Sequence, residues 1–190
     1  MKSLVALAVL TLAGAAHAQD SARPISFIAG IGITGGGSKL ATVQYSDGRT
    51  QDVRAGSGVM FYLGGESRIG TLVSLQATVG YHVDSTNATN GDVRFGRYPI
   101  DLLAYVPVNE QLRFGAGAQF VNNPRLKGSG VASNVDLKFD STVGFVLEGE
   151  YRFTPWLGVK LRGVNARYTV TQTNETASGN HFGLLCNFYF

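Results

Sequence analysis

The chain has 190 residues, 44% hydrophobic and 15% charged, with a formal net charge of +3. This length suits one domain, and the small basic excess is scattered, which excludes a nucleic-acid-binding patch. The single cysteine, Cys186, excludes an internal disulfide, and two widely separated histidines after residue 18, His82 and His181, make no metal motif and imply no cofactor.

The first residues, "MKSLVALAVLTLAGAAHA", carry Lys2, an apolar run from Leu4 to Leu12, and small residues before a cut. Ala16-His17-Ala18 fits the A-x-A rule, with cleavage before Gln19. This pattern predicts a secretory signal over 1–18, a short segment at 19–24 and one domain at 25–190. The apolar run is too short to span a bilayer as a helix, and no later run approaches that length. A membrane could be crossed only by strands.

From residue 25 the hydrophobic period is two almost throughout. The runs predict eight strands, near 25–45, 50–66, 71–85, 92–106, 111–122, 135–153, 157–171 and 179–190. The last, "HFGLLCNFYF", sets Phe182, Leu184, Cys186, Phe188 and Phe190 against His181, Gly183, Leu185, Asn187 and Tyr189. Another, "VGFVLEGEYRF", sets Phe145, Leu147, Tyr151 and Phe153 against Gly144, Glu148, Glu150 and Arg152. Short connections fall near Ser67–Gly70, Pro107–Glu110 and Thr154–Trp156; longer, polar ones are "TNATNGD", "NNPRLKGSGVASN" and "TNETASG". The first hairpin is expected to turn at Ser46–Arg49, and "GGG" at 35–37 marks a bend. In the seventh run Lys160 and Arg162 share a phase with Val164, Ala166 and Tyr168, so a bulge near Gly163 is expected to restore the alternation.

An eight-stranded antiparallel barrel can turn its apolar face inward, as lipocalins do, or outward to lipid. Outward is favoured by continuous large residues over spanning length, a small and polar opposite face, and alternating short and long turns. Aromatics also gather at strand ends: Tyr105, Phe153, Trp156 and Phe190 at one level, Tyr45, Tyr81, Tyr98, Phe139 and Tyr168 at the other. They are expected to form two interfacial girdles. The expected fold is all-β, an eight-stranded up-and-down transmembrane barrel. Its lumen would receive Glu66, Arg97, Asp101, Arg113, Glu148, Glu150, Lys160 and Arg162. A barrel of this size is filled by its own side chains, so these charges must pair, as a structural filling rather than a catalytic site. A narrow, charge-tuned pore is the alternative.

The signal peptide, the eight runs, the turn "YRFTPWLGV" at 151–159 and the terminal "NFYF" resemble small bacterial outer-membrane β-barrel proteins of the OmpX, OmpW and OmpA-transmembrane-domain type. The resemblance spans 25–190, without the peptidoglycan-binding domain that follows the barrel in OmpA proteins. It implies that Phe188, Tyr189 and Phe190 serve as the signal for the outer-membrane assembly machinery. It also implies outer-membrane location, contact with lipid and lipopolysaccharide, and a monomer. The function expected is that of a structural envelope component with exposed loops, or else an OmpW-like channel for small or apolar solutes. A lipid A-modifying enzyme of the PagL or PagP type is the least expected. In "YHVDS", His82 and Asp84 share a face that Ser85 does not, and His181, near Ser178 and Glu175, has no convincing nucleophile partner. The loop carrying Arg125 and Lys127 is expected to be solvated.

Overall fold

The computed structural model describes residues 25–44, 48–70, 72–88 and 91–190. The expected signal peptide with Ala16, Ala18 and Gln19, Tyr45, half of the expected Ser46–Arg49 turn, and part of the "TNATNGD" connection lie outside them.

Thirteen strands form among the described residues. Eight close a barrel: β1 (Ser26–Gly36), β4 (Gly58–Ile69), β5 (Val73–Ala88), β6 (Gly91–Pro107), β7 (Leu112–Gly128), β9 (Thr142–Thr154), β10 (Leu157–Asn165) and β13 (His181–Tyr189). Each pairs antiparallel with the next, and β1 pairs with β13 from Ile28↔Tyr189 to Gly36↔His181. Closure leaves no free edge in the wall, the only way a sheet can satisfy its backbone in lipid. The short turns lie at one end. At the other, β8 (Asp136–Lys138) extends the wall on β7, and two separate hairpins stand beyond it, β2 (Lys39–Gln44) paired with β3 (Thr50–Arg54) and β11 (Arg167–Thr169) paired with β12 (Thr176–Ser178).

The first two predicted strands are each divided. Predicted strand 25–45 ends as β1 at Gly36, where φ is +134° and Gly37 follows at +76°. There the chain leaves the wall so tightly that a Cβ on Gly37 would stand 2.4 Å from the Gly56 nitrogen. Predicted strand 50–66 divides into β3 and β4. The stretch "NNPRLKG", expected as loop, continues β7, with Arg125 and Lys127 pointing outward.

No bulge occurs at Gly163. The β9–β10 register runs unbroken from Gly158↔Arg152 to Asn165↔Phe145, and its irregularity lies at Leu157/Gly158. Val164, Ala166 and Tyr168 keep the inward phase of Lys160 and Arg162 because the lumen itself becomes apolar toward that end. Phe95, Leu126, Phe139, Tyr168 and Val170 pack there with Val53 and Ala55 of the β2–β3 segment. The girdles change accordingly. Tyr105 and Tyr168, both 0% exposed, and Phe139, at 5%, are inside. Trp156, Phe153 and Phe190 stay outside at the short-turn end, and Tyr81 and Tyr98 stack at 5.2 Å toward the other. Tyr105 and Tyr168 lie on the inward phase of their strands; hydroxyl partners hold Tyr105 there, and neighbouring rings hold Tyr168 and Phe139.

Candidate functional site: the filled lumen

Alternation puts the inward residues of eight strands around a narrow axis, and the register stacks them in layers. The layer nearest the short turns is built on Arg113 of β7. Its Nη1 meets Glu66 Oε1 and its Nε meets Glu150 Oε2, each at 2.6 Å. Its Nη2 donates to the Tyr189 hydroxyl over 2.8 Å, and that hydroxyl donates in turn to Glu150. Asn187 also donates to Tyr189, over 2.9 Å, and accepts from the Tyr62 hydroxyl. Arg152 reaches Glu66 at 3.3 Å and lies 4.3 Å over the Tyr189 ring.

The central layer is built on Glu148. It takes Lys160 Nζ at 3.1 Å and Arg162 Nη1 at 2.7 Å, and accepts from the Tyr105 hydroxyl. Arg162 turns its other nitrogen to Asp101 at 2.8 Å, and Asp101 accepts from Gln119 over 3.0 Å. Lys160 donates to Tyr105 and Gln76 over 2.7 and 3.1 Å. Tyr105 also presents its ring to two cations, Arg113 at 4.2 Å and Lys160 at 4.9 Å. These charges are out of solvent: Glu150 is 0% exposed, Lys160 1% and Arg162 3%. Such burial is tolerable only when the charges are paired and hydrogen-bonded.

The third layer holds Arg97, His82, Thr34 and His181. Arg97 Nη2 lies 3.0 Å from His82 Nε2, Thr34 Oγ1 lies 2.7 Å from the same nitrogen, and the two histidine rings are 5.4 Å apart. Asp84 instead accepts the Arg54 backbone N–H over 2.7 Å, and His181 Nδ1 contacts the Gly179 carbonyl at 2.8 Å. Ser85 faces outward. The apolar cluster closes the lumen above.

Of the eight ionic residues expected inside, the structure brings Glu66, Asp101, Arg113, Glu148, Glu150, Lys160 and Arg162 into contact. Arg97 forms no ion pair with an acid among the described residues. It sits four positions above Asp101 on β6, two inward levels higher, and stacks at 5.0 Å on Phe95. The sequence reading missed the phenols. Tyr105 and Tyr189 each bond an acid and a base, and Tyr62, Gln76, Gln119, Asn187 and Arg152 extend the network. All lie on the inward phase, so strict alternation would have found them had Tyr105 not been assigned to a girdle. Of the three terminal residues singled out, Phe188 and Phe190 face outward and Tyr189 inward. Cys186 is half-buried on the outward phase.

Apolar side chains outside and ion pairs inside a closed eight-stranded barrel define a transmembrane β-barrel of the bacterial outer membrane. The chain belongs to the outer membrane protein beta-barrel domain family, whose profile matches residues 4–188. By sequence alone, no curated protein matches it. Among solved structures it is similar to Ail, the attachment invasion locus protein of Yersinia pestis, at 10% identity and a TM-score of 0.54, over 87% of this chain and 97% of that one. Ail in complex with the heparin analogue sucrose octasulfate gives 12% identity and 0.52 over the same shares. Neisserial surface protein A gives 11% identity and 0.51, over 90% of this chain and all of the other. At such identities the likeness is one of fold.

Proposed function

We propose that this protein is a non-enzymatic structural component of the outer membrane, a filled barrel that carries the β2–β3, β8 and β11–β12 extensions outside the cell. One observation carries the reading: two layers of buried ion pairs cross the lumen, and an apolar cluster lies over them. An open aqueous pore would instead hydrate and screen its charges. In this reading the barrel is monomeric, contacts lipopolysaccharide through its outer rim, and is recognised by the assembly machinery through Phe188, Tyr189 and Phe190. Single-channel recording of the purified protein tests it. Silence is expected. Steady ion-selective conductance would make the protein a channel, and mass analysis of lipid A incubated with the protein would expose an enzyme.

A further inference from the structure

On the lipid side of the wall, Phe182 is flanked on both neighbouring strands by glycine. Gly35 of β1 and Gly163 of β10 pair with it directly, and Leu147 of β9 pairs with Gly163. Phe182 is 80% exposed and stands proud of the surface. Beside it runs a groove of about 700 Å³ walled by Phe145, Leu147, Leu161 and Phe182.

The barrel has no internal need for either glycine. A Cβ on Gly35 would meet nothing within 4 Å, and one on Gly163 would meet only the Phe182 ring at 3.5 Å, an ordinary contact. Neither has a left-handed backbone. Gly30 and Gly115 differ, because a Cβ there would stand 2.2 and 2.4 Å from the rings of Tyr62 and Tyr105. Glycine weakens a strand, and in a strand interior it often marks close approach by a ligand or another backbone. Here its visible effect is to leave the groove open.

The groove also has a polarity gradient. Its walls are apolar, while Asn165 and Asn180, both exposed, line it as well. These two lie where β10 ends and β13 begins, at the end of the barrel that carries the extensions. That end is extracellular, because the short turns of outer-membrane barrels face the periplasm. Asn180 Oδ1 accepts the Ala166 N–H over 3.0 Å, which leaves its amide N–H groups as donors.

We propose that this groove binds one acyl chain of an outer-leaflet lipid. The chain packs beside Phe182 over Gly163, and Asn165 and Asn180 receive its ester or amide linkage at the headgroup boundary. A second copy of the barrel would fit the apolar wall but would not explain amides at headgroup depth. The groove is continuous with the lipid-facing belt, so the ligand needs no separate entrance.

The test uses the full barrel folded in vesicles of phosphatidylethanolamine and lipopolysaccharide, with a phosphatidylethanolamine carrying a photoactivatable diazirine in its acyl chain. Labelled peptides are mapped by mass spectrometry. Label should concentrate several-fold at Phe145, Leu161 and Phe182 over the equally lipid-facing Phe114 and Phe120. Gly163→Leu and Gly35→Leu should reduce it to the Phe114 level, with heat-modifiable gel mobility showing that the barrel is folded. Ala77→Leu on β5, whose neighbours are Gly65 and Leu102 on the far side of the barrel, should change nothing. If Gly163→Leu does not fold, Gly35→Leu carries the test, because open space receives its side chain. Even labelling around the belt would overturn the proposal, and so would barrel-to-barrel crosslinks through Phe182.

Discussion

Arg162 on β10 lies directly opposite Glu148 on β9 and donates to its Oε1 over 2.7 Å. Neither residue serves only the other. Arg162 also holds Asp101, and Glu148 also holds Lys160. The pair therefore joins three strands across the axis. Glu150, although it faces Lys160 in the β9–β10 register, is occupied by Arg113 and Tyr189.

Removing one charge from this pair should strand its partners. Glu148→Gln should destabilise the barrel by about 3–5 kcal/mol, because a buried base would be left without its acid. Glu148→Gln with Arg162→Met should cost clearly less than the two singles added together. Urea unfolding in lipid vesicles measures the cycle. Additive effects below ~1 kcal/mol each would mean that the charges are screened by lumen water.

Tyr105→Phe isolates the phenol. The ring stays between Arg113 and Lys160, but the hydroxyl that accepts from Lys160 and donates to Glu148 is lost. A cost of about 1–3 kcal/mol is expected for leaving buried polar groups short of a partner. Tyr151→Phe, which removes an exposed contact to Gln111, should cost less in the same assay. Equal costs would deny the lumen phenol a special part.

Leu147 faces lipid near the middle of β9. Leu147→Arg should cost about 2–4 kcal/mol in vesicles, the range for a base at the midplane of a barrel's lipid face. An unchanged unfolding curve would place position 147 away from the bilayer.

Phe190 exchanges two backbone hydrogen bonds with Phe27, at 3.0 and 3.3 Å, at the seam where the last strand meets the first. Deleting Phe190 should reduce the folded, heat-modifiable form in cell envelopes, and folding in pure lipid should slow less. Normal envelope levels would argue against its role as an assembly signal. Equal defects in both settings would trace the effect to the seam alone.

The β2–β3 hairpin should respond to acid. The Thr42 hydroxyl, bonded at 2.8 Å, and then Lys39 hold the Asp52 carboxyl below its ordinary value of 3.8. A depressed folded-state pKa contributes stability that is present above the unfolded value and lost as pH falls through the folded one. Hairpin amides should therefore keep their exchange protection at neutral pH and begin to lose it below about pH 4. Hydrogen exchange in Asp52→Asn should lack this step.

Seven of the eight ionic residues expected in the lumen meet there, because alternation decides the face and a narrow eight-stranded lumen brings the inward charges of neighbouring levels together. Partner choice was not legible. Lys160 bonds Glu148 and not the Glu150 it faces, a choice set by tilt and by competition from Arg113 on a third strand. Arg97 has the right phase, but its level along the axis separates it from Asp101 and the other acids of the two ionic layers, and level depends on the stagger of the closed sheet.

The sequence by itself determined the two faces of the eight barrel strands, because a period of two is a local property of the chain; the continuous large residues of one face, the small polar residues of the other and the alternating turn lengths then pointed the apolar face to lipid. It could not determine where the wall stops. The division at Gly36–Gly37, and the unbroken register through Gly163, depend on how the extensions pack on one another and over the lumen. Nor could it place Phe139, which shares its phase with the outward Phe145 and Leu147. Tyr105 and Tyr168, although on the inward phase, were drawn to the girdles by their ring type. An aromatic ring is compatible with an interface or a core, and only the partners that tertiary structure brings to it decide between them. The same holds for Gly163: a lone strand presents it as a plausible bulge, and the folded wall shows it paired in regular register beside Phe182.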